Sequence, residues 1–381
     1  MLKIFLFLFP LISYSAPTIN TVSGNFCNGE KIIITGVAFG STGPNVILYD
    51  NFTGTPGEII KLAATMGSWS GLTQIPPTYI SDDNNVAGLL VDGINSKQLN
   101  INFTPTQEFF LSFRVKIPSG YHFPNSAAPG SFAPDSAWKL AWIMDGPKGY
   151  LGNDDIVIPT WPNGTYFYIG GNDNAFPSSA ANGWVSTIVG RPGTNTNWFS
   201  FSGWNRATTY IKAGADPVAD NGIIWFQGMS SEFGQKSFVF TDRHVFDGPT
   251  NDGDDAISQW TRINISGWHR TNGTNAAFDN KTRAIYDDVY LATGNNARAR
   301  IEIGDKPTYA ACTKLALLTP DSWNNNSITA TVRLGEFTNG NQIYLYVIDT
   351  LGNPSAVGYP IVLNTNKADQ LNPPAGFNQK K

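Results

Sequence analysis

The chain has 381 residues, 13% aromatic and 14% charged, with 38 glycines, 24 prolines and a formal net charge of −4. That length allows about two or three domains, and the absence of any basic run excludes a nucleic-acid footprint of the usual electrostatic kind. Glutamate, a helix former, occurs only at positions 30, 58, 108, 232, 302 and 336, while aromatic and turn-forming residues abound, which excludes a helical design and predicts an all-β chain.

Residues 1–16, "MLKIFLFLFPLISYSA", read as a signal peptide. Lys3 supplies the positive start, 4–12 the apolar stretch, and Ser13 and Ser15 a small-x-small cleavage site. The run is too short for a membrane anchor, and nothing later is apolar for long enough to span a bilayer. A secreted, periplasmic or cell-surface protein is expected.

Three short strands follow, at 17–23, 31–36 and 46–49, with Cys27 in the first turn. Their natural partners do not come next. They come at 311–364, in "PDSWNNNSITATVRL" and "NQIYLYVIDTLGNPSAVGYPIVL". Pro17, Thr18 and Ile19, the run Ile32 to Gly36, the pair Phe39–Gly40 and the Trp323 turn together resemble an IPT/TIG domain, an immunoglobulin-like sandwich. The resemblance implies one sandwich made of 17–51 plus 311–364 and interrupted by 52–305. Insertions of this kind are tolerated in exposed loops with close ends. It also implies that Cys27 and Cys312 meet at one end. In an exported chain, such a lone pair is expected to form a disulfide.

Residues 52–305 carry many short strands, among them "EFFLSFRVKI", "NWFSFSGW", "GIIWFQG" and "QWTRINISGW". Alternating aromatic and polar residues predict two antiparallel sheets packed face to face, in a jelly roll. Trp260, Thr261 and Arg262, followed later by Tyr286, Asp287, Asp288, Val289 and Tyr290, resemble recurring strands of the concanavalin A-like lectin/glucanase superfamily. The overall expectation is an all-β jelly roll inserted into an immunoglobulin-like sandwich. Residues 365–381 lack apolar periodicity and are expected to be a disordered tail.

Glucanases of that superfamily carry clustered glutamates, and this chain has no such cluster. A polysaccharide lyase needs Arg, Gln or Asn against a uronate carboxylate and a His or Tyr base. The histidines are His122, His244 and His269, and Arg243 beside His244 faces the other side of a strand. Serine-hydrolase, P-loop and zinc motifs are absent. Calcium is the one cofactor the composition suggests, through Asp247, Asp252 and Asp254 in "DGPTNDGDD". Strand parity predicts a surface of Trp198, Trp204, Trp225, Gln227, Trp260 and Arg262, opposite Phe199 and Phe201, suited to stacking on sugar rings. The leading expectation is a non-catalytic glycan-binding or cell-surface recognition protein, with a polysaccharide or surface glycan, or a neighbouring surface protein, as partner. A lyase acting on an acidic polysaccharide and a structural envelope or appendage module are the alternatives.

Overall fold

A computed structural model of the chain describes residues 15–363 except 74, 83–84, 93–94, 122–135, 146–155, 162–165, 172–184, 191–193, 215–220, 244–258, 267–268, 272–282 and 339. Residues 1–14 of the expected signal peptide 1–16, the expected tail 365–381 and the candidate calcium ligands Asp247, Asp252 and Asp254 lie outside the described residues.

The described chain is all-β. It begins with β1 (Thr18–Gly24), β2 (Lys31–Val37), β3 (Asn45–Asp50), β4 (Met66–Gly67), β5 (Gly71–Leu72), β6 (Thr78–Asp82), β7 (Asn85–Asp92), β8 (Asn95–Ser96) and β9 (Leu99–Thr106). Then come β10 (Glu108–Lys116), β11 (Ser136–Asp145), β12 (Ile156–Trp161), β13 (Tyr166–Gly171), β14 (Val185–Gly190), β15 (Asn205–Lys212), β16 (Gly222–Ser230) and β17 (Gly234–Arg243). The last are β18 (Trp260–Ile265), β19 (His269–Thr271), β20 (Arg283–Thr293), β21 (Arg300–Gly304), β22 (Leu315–Trp323), β23 (Ser327–Thr331), β24 (Gln342–Ile348) and β25 (Tyr359–Val362).

The larger body is a jelly-roll sandwich of two sheets. One runs β17-β16-β15-β10-β20-β3-β4, and the first half of β20 also pairs with β7. The other runs β14-β13-β12-β11-β18-β9-β5. Alternation builds the core between them. Phe109, Leu111, Phe113 and Val115 of β10 point inward, as do Leu99 and Ile101 of β9 and Ile263 and Ile265 of β18. Each such burial contributes roughly 1.5–3 kcal/mol.

The smaller body folds over on itself through β22. Residues Leu315 to Leu318 pair with β21, whereas Thr319 to Trp323 pair with β23. One sheet is therefore β1-β2-β23-β22 and the other β22-β21-β24-β25. Ile32 and Ile34 from the first meet Ile301, Ile303, Leu345 and Val347 from the second in a separate core. Strands from both chain ends thus complete one sandwich.

Two boundaries differ from the sequence expectation of 17–51 plus 311–364 around 52–305. β3 pairs with β20 of the jelly roll, and Leu48 enters the jelly-roll core. β21 pairs with β22 and β24 of the smaller sandwich. Both strands are short, β3 with a continuous apolar run and β21 with Ile301 and Ile303 on alternate positions, so either sandwich could accept them by pattern alone.

The disulfide is also not formed. Cys27 and Cys312 are both free thiols. Cys312 faces out of the smaller core, beside Met229, Leu315 and Tyr346, and burial raises its pKa. Cys27 sits in the β1–β2 turn of the other sheet, where its carbonyl accepts from Glu30 N. The two thiols therefore face different surroundings.

Candidate functional site

The outer face of the eight-stranded sheet carries a compact set of polar side chains. Inward Leu99, Ile101, Ile263 and Ile265 force Asn100, Asn102, Arg262 and Asn264 outward. Pairing then sets them in rows. Trp142 of β11 stands opposite Asn264 of β18, which stands opposite Asn100 of β9. Arg262 stands opposite Asn102. Arg262 Nε donates to Asn264 Oδ1 at 2.9 Å, and Asn264 Nδ2 reaches Gln98 Oε1 at 3.5 Å. Trp142 is half-buried, and Lys139 Nζ lies 3.8 Å from the centre of its ring. The Trp142 indole N–H is buried with no acceptor among the described residues, which costs about 1–3 kcal/mol. Among the described residues of this face, the charged groups are Lys139 and Arg262.

No protein-family model matches the sequence, and no curated protein matches it. Similar solved structures exist. A marine PL-14 alginate lyase from Aplysia kurodai aligns over 66% of this chain and 100% of its own, at 9% identity and a TM-score of 0.44. Domain 4 of AbnA, a GH43 extracellular arabinanase from Geobacillus stearothermophilus, aligns over 66% and 94% at 12% identity and a TM-score of 0.36. The VIP36 exoplasmic/lumenal domain in its Ca2+/Man-bound form aligns over 67% and 91% at 10% identity and a TM-score of 0.30.

The six residues expected to share one open groove are dispersed. Trp198 and Trp260 are fully buried in the jelly-roll core. Trp198 precedes β15 in an irregular segment, so period-2 parity does not apply to it. Its ring fills the space left by two glycines, since a Cβ on Gly228 or Gly190 would stand 2.2 Å or 2.7 Å from it. Trp260 is turned inward by a β-bulge: the pairing of β18 slips between Trp260 and Arg262 against both neighbours. One extra residue reverses the facing of everything beyond it.

Trp225 and Gln227 do share a face opposite Phe226, as parity predicts, but the smaller sandwich covers that face. Trp225 packs with Phe110, Tyr210, Tyr290 and Leu317, and Gln227 Nε2 reaches the Tyr309 hydroxyl at 3.5 Å. Trp204 is half-buried beneath the Arg114 guanidinium, 4.5 Å from its ring. Only Arg262 lies on the polar face described above. Sequence reasoning missed its companions Trp142, Lys139, Asn100 and Gln98. Their signal was present as polar residues alternating with Leu99, Ile101 and Ile143, but which strands lie side by side is not written in any one of them.

Proposed function

We propose that the chain is an exported glycan-binding protein whose ligand lies across the outer face of the eight-stranded sheet, and that this ligand is an acidic saccharide. The supporting observation is the half-buried Arg262, linked through the buried Asn264 to Gln98, with Asn100 and Asn102 alongside and the half-buried Trp142 ring beside them under the buried Lys139. A guanidinium matches a uronate carboxylate in geometry and charge. Amides both donate to and accept from sugar hydroxyls, and a partly open indole offers an apolar surface to a ring. Calorimetric titration with a trimeric uronate should show binding that weakens about tenfold or more in Arg262→Ala, a loss of at least about 1.4 kcal/mol. A neutral trimer should bind this face less well. Equal affinity of the variant and the parent for the uronate would overturn the reading.

A second reading, eliminative cleavage, is favoured by one feature: the linked set Arg262–Asn264–Gln98 is of the kind that neutralises a uronate before its C5 proton is removed. His122 and His244 lie outside the described residues, and His269 is on β19, which pairs with β11. A rise in unsaturated-uronate absorbance on incubation with the polymer would establish this activity. Binding without it would leave the non-catalytic reading.

We read the smaller sandwich as an IPT/TIG-like support that orients the jelly roll. The Trp323 indole N–H donating to Phe39 O at 3.0 Å across the two ends of the chain supports this. Export is part of the same proposal, and recovery of the mature chain without residues 1–16 from the periplasm, surface or medium would check it.

A further inference from the structure

A cleft of about 660 Å³ opens where the two sandwiches meet, away from the sheet face assigned above. The jelly roll lines it with Asp287, Asp288, Asn51, Thr53, Thr55 and Lys61, and the smaller sandwich with Asn28, Leu334, Gly335 and Phe337. One wall is mostly oxygen and amide, whereas the other is largely apolar.

The floor is built by a β-bulge. Ser112 pairs with Tyr290 and Arg114 with Asp287, so Phe113 faces two residues, Asp288 and Val289. Asp288 adopts φ +48° there. The bulge brings two successive carboxylates to one surface, which a regular strand would place on opposite faces. Arg114 Nη1 lies 3.1 Å from Asp288 Oδ2 and 3.6 Å from Asp287 Oδ2. Tyr49 donates to Asp288 Oδ1 at 2.7 Å. Asp287 Oδ1 accepts from Asp288 N at 2.8 Å. Among the described residues Asp287 Oδ2 has no partner at hydrogen-bond distance, on a side chain only 9% exposed that lines the cleft. Gly335 keeps Asp288 Oδ2 uncovered, because a Cβ at that position would stand 3.2 Å from it.

We propose that this cleft is a second binding site and that it takes a neutral, hydroxyl-rich ligand, a short neutral saccharide. The volume falls within the ~300–1,000 Å³ range of small-molecule pockets. Burial, and then the neighbouring Asp288 carboxylate, hold the Asp287 carboxyl well above its ordinary range. Arg114 already stands against both carboxylates and Lys61 also lines the cleft, so the chain supplies its own cations here. What the floor offers is an unused oxygen, amides and hydroxyls. Leu334 and Phe337 offer an apolar surface to the C–H face of a ring. Both of Asp288's oxygens are already engaged, which fits holding a ligand rather than attacking one.

The test is saturation-transfer NMR of the full chain with cellobiose, mannobiose and N,N′-diacetylchitobiose. Thr53 and Thr55 are exposed, so Thr53→Trp and Thr55→Trp can plug the cleft without disturbing either core. At least one of the three disaccharides should bind, with affinity at least about fivefold weaker in both plugged variants. Arg262→Ala, on the separate sheet face, should leave that binding unchanged. Uronate binding should respond in the opposite way, so the two sites can fail independently. Binding of none of the three, binding that survives both plugs, or loss in Arg262→Ala would overturn the proposal.

Discussion

Trp198 and Trp260 are structural residues, not recognition residues, and their neighbours explain why. The Trp198 ring packs between Phe199 and Phe226, and Trp260 meets Phe109 edge-on at 5.0 Å. Truncating either to alanine should cost roughly 3–5 kcal/mol in urea unfolding and leave the sheet-face affinity for a uronate unchanged in the folded fraction. Asp287 gives a pH signature. Its folded carboxyl titrates well above the ordinary range, so between the two values the folded state holds the extra proton. Stability from this group therefore falls as pH rises through that window. Asp287→Asn removes the titration and keeps an oxygen for Asp288 N. The decline of melting temperature as pH rises above the ordinary carboxylate range should be shallower in the variant than in the parent. Parallel declines would contradict it.

Among elements, β21 matters most to the joint, because it presents Glu302 to the jelly roll. Glu302 is fully buried and pairs with Arg206 of β15 and with Arg300, whose Nε lies 3.3 Å away. Arg206 Nε also donates to Ser112 Oγ at 3.0 Å, and Arg300 Nη2 to the Tyr309 hydroxyl at 3.1 Å. Burial opposes the Glu302 charge, but the two guanidiniums outweigh it and hold the carboxyl below its ordinary range. A depressed folded value adds stability that is present above the unfolded value and is lost on acidification through the folded one. Glu302→Ala leaves two buried guanidiniums uncompensated and should cost about 3–5 kcal/mol by chemical denaturation. A loss below about 1 kcal/mol would show that the pair is no more than a surface bridge.

At the scale of the whole molecule, the central strands of the ten-stranded sheet are covered on both sides. One face packs in the jelly-roll core. The other meets the smaller sandwich through Leu317 against Phe110, Tyr210 and Trp225, and through Leu315, Tyr346 and Ile348 against Met229. With apolar contacts and the Glu302 pairs shared between them, the two bodies should unfold together. Calorimetry should give one transition with matching calorimetric and van't Hoff enthalpies, and two resolved transitions would refute the coupling. A fragment of 52–305 alone lacks β3 and its cover, and it should not melt cooperatively.

The sequence by itself determined the all-β class and the two-sheet core. Those depend on local quantities: residue composition and the period-2 facing of Phe109 to Val115, Leu99 and Ile101. It also placed Trp225 and Gln227 on one face, and Arg262 on a polar one. Tertiary structure decided the rest. A bulge after Trp260 turned that ring inward, a bulge at Asp288 brought two carboxylates together, and the smaller sandwich closed over Trp225. β3 and β21 changed bodies because a short apolar strand carries no address for its partner. Facing is written along one strand, whereas exposure depends on what the rest of the chain lays over it.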